Sequence, residues 1–359
     1  MTGKTPDILL KDIELSDSAW IRELLSVPDF NSEDYCFTFQ YLWKNTFKSK
    51  VARIGDIVLI QYNMGLGRSY LMPVGKADDW QIADLLNAML STGTANSQSS
   101  LLSDGYSCQN SMLTAGGNNQ NSLLTDDGKL VLYGVLPKQL EFFEQHFKGM
   151  FTAEQFRMGA DYIYDAESLK TLRGKKYQSK RNFANGFRRL YNWRFEPITD
   201  ENVPECLEMN DEWCRRGGCS GDFWKSNEFC ATRVALNNLK ALGLDGGLLR
   251  VFPSEQNPEI PEEGKVVAFS IAEKTNSNTL IVHIEKALTE YRGAYQAMSQ
   301  EFLNYMDSVI HERENIQEGA PAFTLVNRED DSGDENLRKA KLEYHPIEIK
   351  EKYLVTLEL

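Results

Sequence analysis

Around residue 283 the sequence runs TLIVHIEK, which sets a histidine and a glutamate two residues apart on a β-branched, strand-like run. Regular alternation along a strand predicts Ile281, His283 and Glu285 on one face. Imidazole and carboxylate both titrate below neutrality, so either His283 or Glu285 can take a proton from an attacking amine. A sheet-capping pair is the plain alternative. A second group follows an apolar run ending at Asn327. Arg328 stands at a strand's carboxyl end, the end that faces the cleft in α/β sheets. Asp330 to Glu335 read as an acidic helix cap with a turn at Gly333. Arg338 and Lys341 are three apart and share a helix face. The third group lies between Ser168 and Phe195, where nine basic residues occur without an acid, interleaved with Tyr177, Phe183, Phe187, Tyr191 and Trp193. On a chain of net charge -13, a basic stripe predicts polyanion binding through Lys175, Lys176, Lys180 and Arg181, although a solvated helix face accounts for the same charges.

Composition limits the setting of these groups. A chain of 359 residues fits two domains. Its acidity excludes a uniformly basic nucleic-acid coat. No run approaches the ~18 apolar residues of a membrane span, and the N-terminal residues lack a signal-peptide pattern, so the expected location is cytoplasmic. Four of the six cysteines fall between residues 206 and 230. They form no C-x2-C pair, and no histidine lies between His146 and His283. They read as free thiols, with Cys206, Cys214 and Cys230 buried, and neither a disulfide nor a structural metal is expected.

The elements that carry these residues can be read from periodicity. In the first half we expect a helix around Trp20–Leu25, another over 36–47, strands over 51–54, 57–62 and 69–74, a helix from 78 to about 90, a strand over 129–136 and a helix over 138–147. Three eleven-residue repeats (QSSLLSDGYSC, QNSMLTAGGNN, QNSLLTDDGKL) fill 98–130 and read as a polar surface insertion. In the second half an amphipathic helix over 175–191 precedes the order β-α-α-β-β-β-α-β-α-β over 193–357, with a single strand expected over 347–357.

Three stretches make a family resemblance specific: GKKYQSKRNFANGFRRLYNWRFEPIT, AFSIAEKTNSNTLIVHIEKALTEYRGAYQAMSQEF and LVNREDDSGDENLRKAKLEYHPIEIKEKY. Together they resemble the phosphatidylglycerol lysyltransferase C-terminal domain family, and the last is similar to the end of the Fem peptidoglycan-bridge transferases. The resemblance implies an α/β (α+β mixed sheet) fold of two tandem GNAT-like acyltransferase domains, expected over 1–165 and 166–359, with the site in the second. It implies a soluble acyltransferase that takes an aminoacyl group from aminoacyl-tRNA as co-substrate, with tRNA as partner, no permanent cofactor, and an amine or hydroxyl acceptor. Glu285, His283, Lys341 and Arg328 would be catalytic, Lys341 matching the Fem-like K-x-x-[FY] lysine that stabilises an oxyanion or phosphate. Arg292, Gly293 and Arg338 would join the polyanion site, with Arg292-Gly293-Ala294 all that remains of a coenzyme A loop. The alternatives are an acyl-coenzyme A N-acyltransferase and a non-catalytic RNA-binding module on the same fold.

Overall fold

A computed structural model describes residues 8–28, 30–64, 67–96, 123–125, 127–217, 219, 221–276 and 278–359. Of the repeats over 98–130, residues 98–122 and 126 lie outside the described residues. Two compact units emerge, one of Met1–Phe30, Asp34–Ala160 and Lys350–Leu359, the other of Asn31–Glu33 and Asp161–Ile349.

The first unit carries an eight-stranded mixed sheet. Val51, Leu59, Tyr70, Leu130 and Leu132 are buried as alternation dictates. The expected helix over 36–47 is two short helices, Phe37–Leu42 and Lys44–Phe47. The strand Phe151–Gln155 is not apparent in the sequence, because four of its five residues are exposed and it shows no apolar alternation. The expected single strand over 347–357 is two strands in different sheets. Glu348–Lys350 pairs in the second unit's sheet, whereas Tyr353–Leu357 inserts between Leu130–Val135 and Phe151–Gln155, antiparallel to both.

The second unit has a seven-stranded sheet. Its strands are β1 (Asp161–Asp165), β2 (Asn192–Pro197), β3 (Asp245–Phe252), β4 (Lys265–Lys274), β5 (Thr279–Ala287), β6 (Leu325–Asn327) and β7 (Glu348–Lys350), in the spatial order β7-β1-β6-β5-β4-β3-β2. Its main helices are α1 (Ala166–Thr171), α2 (Gln178–Leu190), α3 (Val203–Gly217), α4 (Phe223–Asn237), α5 (Ala294–Glu314) and α6 (Glu335–Leu342). From β2 onward this is the order expected of a GNAT-like domain.

Helix α5 organises the core. Ala294, Met298, Phe302, Met306 and Ile310 form an i, i+4 row, all buried with Leu280, Val282, Ala268 and Leu249 of the sheet. Burying each large apolar side chain contributes about 1.5–3 kcal/mol, which fixes α5 across β3, β4 and β5. Its N-cap is Gly293, at φ 90°. A side chain there would collide with the main-chain oxygen of Phe183, so glycine lets the start of α5 approach α2 closely.

The cysteine expectation is corrected. Cys214 and Cys219, at the end of α3 and in the loop after it, pair as a disulfide with α-carbons 5.2 Å apart, within the usual span. Cys206 is buried but Cys230 is exposed. Counting C-x2-C spacings could not reveal a pair five residues apart that a helix end folds together.

Candidate active site

Strands β5 and β6 run parallel for three residue pairs, Thr279 with Leu325 through Ile281 with Asn327. Beyond Asn327 the chain turns away while β5 continues to Ala287, so the sheet opens into a wedge. Glu285 and Arg328 meet there. An Arg328 Nη2–H donates to Glu285 Oε2 at 2.6 Å and another to the Tyr295 hydroxyl at 2.8 Å. The guanidinium carbon lies 4.8, 5.6 and 5.8 Å from the ring centres of Tyr344, Tyr295 and Tyr164, within cation–π range. The side chains of Arg328 and Glu285 are only 6% and 9% exposed. Burial alone would lower the guanidinium's pKa, but the Glu285 carboxylate reverses this and holds it well above its ordinary value. Burial first, then the Glu285 charge, pushes the Tyr295 phenol up, so the tyrosine remains a neutral hydroxyl.

Two polar atoms of the pair are left over. Glu285 Oε1 and Arg328 Nη1 are buried without a hydrogen-bond partner among the described residues. Both residues line a cavity of about 10 Å³ with Val282, Ser299 and Phe302. Buried polar groups nearly always find partners, so a free acceptor and a free donor on one ion pair make this a candidate reaction or binding centre.

The loop after β6 is held in an unusual shape. Glu329 and Ser332 adopt left-handed φ values of 56° and 46°, a conformation that costs non-glycine residues about 1–3 kcal/mol each. Lys341 clamps this loop. Its buried ammonium donates to the main-chain oxygen of Arg328 at 2.6 Å and to that of Asp330. Burial lowers its pKa. Arg338 makes a two-point contact with Asp331, Nε to Oδ2 at 2.8 Å and Nη2 to Oδ1 at 3.0 Å, and the Tyr162 hydroxyl donates to Asp331 at 2.6 Å. Asp334, within the expected acidic cap, caps α6, accepting from the Asn336 and Leu337 amides. Lys341 therefore holds the Arg328 main chain, and Arg338 holds the same loop at Asp331.

His283 does not share a face with Glu285, as alternation predicted. Ile271 of β4 pairs with Ile284 and Ala272 with Val282, so His283 is the extra residue of a β-bulge, which breaks the alternation. Val282 and Glu285 line the same cavity, while His283 is buried between two carboxylates, Nδ1 2.7 Å from Glu329 Oε1 and Nε2 3.1 Å from Glu273 Oε1. Contacts this short require a proton between each nitrogen and its oxygen. Burial raises the pKa of Glu329, and His283 opposes the rise. On the other side of β5, Lys286 is buried 3.3 Å from the centre of the Trp213 ring and 2.8 Å from Glu228.

The basic run divides into tied and free charges. Lys180 pairs with Glu343 at 2.7 Å, and Arg181 donates to the carbonyls of Leu172 and Gly174 that close α1. Arg173, Lys175 and Lys176 are exposed and have no acidic partner among the described residues. Arg292 lies over the Phe183 ring at 5.2 Å beside Gly293. Sequence reasoning did not single out Tyr164, Tyr295, Tyr344, Glu273 or Glu329. Glu329, one residue after Arg328, and Tyr344, the aromatic residue of the K-x-x-[FY] pattern, lay within flagged motifs, and Glu273 and Tyr295 lay within the stretches that carry the resemblance.

No curated protein matches the chain. The phosphatidylglycerol lysyltransferase C-terminal family matches residues 120–356. Among solved structures, a conserved protein of unknown function from Bacteroides thetaiotaomicron VPI-5482 is 31% identical at a TM-score of 0.77, over 98% of this chain and 100% of that one. The C-terminal domain assigned to a lysylphosphatidylglycerol synthetase of Agrobacterium fabrum is 14% identical at 0.54, over 96% and 92%. FemX is 12% identical at 0.51, over 96% of each chain. These last two share the fold. No helix among the described residues is long and apolar enough to cross a membrane. On its tandem GNAT-like fold, the chain belongs to the phosphatidylglycerol lysyltransferase C-terminal family and is an acyltransferase of the aminoacyltransferase class.

Proposed function

We propose that this enzyme transfers an aminoacyl group from aminoacyl-tRNA, as co-substrate and partner, to an amine or hydroxyl acceptor, with Glu285 and Arg328 at the reacting centre. The observation that carries this reading is the half-engaged ion pair, with Glu285 Oε1 and Arg328 Nη1 buried and unpaired. The acceptor's nitrogen or oxygen attacks the ester carbonyl carbon and its proton passes to Glu285 Oε1. The carbonyl electrons move onto oxygen, where Arg328 Nη1–H donates to the developing charge. Collapse re-forms the carbonyl, breaks the bond to the ribose oxygen and returns the proton from Glu285 to that oxygen. No activated Cys or Ser figures in this route, so attack is direct. Lys341 is a positioning residue that holds the Arg328 main chain, as His283 holds Glu329. A cytoplasmic location, where charged tRNA is found, accords with this chemistry.

A donor comparison tests the reading. The protein is given a mixture of radiolabelled aminoacyl-tRNAs, or radiolabelled acetyl-coenzyme A, with hydroxylamine as a small acceptor. Acceptor-dependent release of label from tRNA is expected. Turnover of acetyl-coenzyme A alone would favour the acyl-coenzyme A enzyme. Tight tRNA binding with neither donor consumed would favour the binding module.

A further inference from the structure

Strands β3, β4 and β5 carry one row of side chains beneath α5. Gly247 of β3 pairs with Ser270 of β4, and Ser270 pairs with Glu285 of β5. Residues directly opposite on antiparallel strands share a face, with Cβ atoms about 4.5–5.5 Å apart. That face lies under Phe302, which lines the small cavity with Glu285 and would be 3.1 Å from a Cβ added at Gly247. The positions around Ser270 on the same face, Ala268, Ala272 and Ala287, are small and buried with α5. Close approach of α5 therefore explains a small residue at 270, but it does not explain a hydroxyl. Ser270 is fully buried, and its Oγ has no hydrogen-bond partner among the described residues. Alanine would fill the place without the cost of an unpaired polar group. Polar groups this deep nearly always have a partner, and the group across the strand that also lacks one is Glu285 Oε1.

We propose that Ser270 is a positioning residue for proton transfer, its hydroxyl bonding to Glu285 Oε1 in both protonation states of the carboxyl group. This inference rests on the reading of Glu285 as the base and adds how the base keeps its proton between the two halves of the reaction. A serine side chain turns about one bond among three staggered positions, and directly opposed side chains on paired strands are close enough to hydrogen-bond. A hydroxyl is both donor and acceptor. Before attack, Ser270 Oγ–H donates to the carboxylate and holds Oε1 beside Arg328 Nη1. When the acceptor's proton reaches Oε1, the new O–H donates to Ser270 Oγ instead. No bond of Ser270 forms or breaks, and the proton then leaves Oε1 for the ribose oxygen. Arg328 cannot take this part, because a guanidinium only donates and its charge favours the ionised carboxylate. Without Ser270, the proton on Oε1 would be a buried donor with no side-chain acceptor on this face among Gly247, Ala268, Ala272 and Ala287.

The test measures single-turnover transfer from radiolabelled aminoacyl-tRNA to hydroxylamine by the full chain, with thermal unfolding of the same variants. Ser270→Ala should transfer about 10–100-fold more slowly, the loss expected when a buried donor has no acceptor. Its tRNA affinity should be unchanged and its thermal midpoint equal to or above that of wild type. Ser270→Thr keeps the hydroxyl on a side chain suited to a strand and should recover most of the rate. Because Ser270 acts through Glu285, Ser270→Ala should cost nothing further in a Glu285→Gln background. Equal costs in both backgrounds, or a folded Ser270→Thr as slow as Ser270→Ala, would show a structural effect and overturn the proposal. A wild-type rate for Ser270→Ala, or a loss seen only on replacing Ser299, the α5 hydroxyl that lines the cavity, would overturn it too. In either case a slow Glu285→Gln variant leaves the Glu285 reading standing without Ser270. If Glu285→Gln keeps the wild-type rate, or no charged tRNA is consumed, that reading fails and this inference with it.

Discussion

Arg328 and Glu285 meet through one atom each, Nη2 to Oε2 at 2.6 Å, and leave Nη1 and Oε1 buried and unpaired. Arginine–carboxylate pairs frequently engage as a two-point fork, as Arg338 does with Asp331, and this pair does not. The single contact bridges the opening between β5 and β6 and sets a donor beside an acceptor. The three tyrosine rings and the Lys341 clamp make that geometry rigid before substrate arrives, which is what electrostatic stabilisation of a transition state requires.

Lys341→Met should destabilise the protein by about 2–4 kcal/mol, because two buried carbonyl groups, on Arg328 and Asp330, lose their donor. Lys339→Met, at an exposed position, should change stability by less than about 0.5 kcal/mol. Urea unfolding of both variants checks this. Equal midpoints would show that the clamp carries no weight.

Asp331 predicts an acid limb. Burial would raise its pKa, but hydrogen bonds from Arg338, Tyr162 and the Gly333 amide outweigh this and hold it below the ordinary carboxylate value. A depressed folded-state pKa contributes stability above the unfolded value near 3.9, and that contribution is lost as pH falls through the folded value. Asp331→Asn should therefore be about 1.5–3 kcal/mol less stable at pH 7, with the gap to wild type closing below about pH 4. A gap independent of pH would contradict this account.

For the basic segment, the free and tied charges predict different salt behaviour. Replacing Arg173, Lys175 and Lys176 together by alanine should reduce the log–log salt slope of tRNA binding by about 2–3, at ~0.7–0.9 per phosphate contact. Lys180→Ala should leave the slope nearly unchanged, since Glu343 already neutralises that charge. A larger slope change for Lys180→Ala than for the triple variant would reverse the assignment.

The fold of the second unit was largely readable, because its strands and α5 carry strong apolar periodicity and Gly243 and Gly293 mark helix boundaries. The pairing of Glu285 with Arg328 was half readable: both residues stood out, but their contact depends on two parallel strands separating 43 residues apart in sequence. The bulge at His283 was not readable, since one extra residue leaves no mark on an apolar run. The roles of Lys341 and Arg338 were obscured because a basic helix end looks the same whether its charges face solvent, a cleft or main-chain carbonyls. The tyrosines around Arg328 come from β1, the first turn of α5 and the turn after α6, and among them Tyr344 alone was tied by spacing, through K-x-x-[FY], to another site residue. The strand Tyr353–Leu357 pairs in the first sheet because its register partners there are Leu130–Val135 and Phe151–Gln155, which hydropathy cannot specify.

The central claim is that Glu285 accepts the proton during aminoacyl transfer. Glu285→Gln preserves the shape of the side chain and can still accept a bond from Arg328 through its carbonyl oxygen, while removing the base. Single-turnover transfer from radiolabelled aminoacyl-tRNA to hydroxylamine, with enzyme in excess, isolates that step. The account predicts a rate reduced by roughly 10²–10⁴-fold, with tRNA binding close to wild type and a lowered thermal midpoint, because the buried Arg328 guanidinium loses its counter-charge. A Glu285→Gln variant that transfers at the wild-type rate would contradict it.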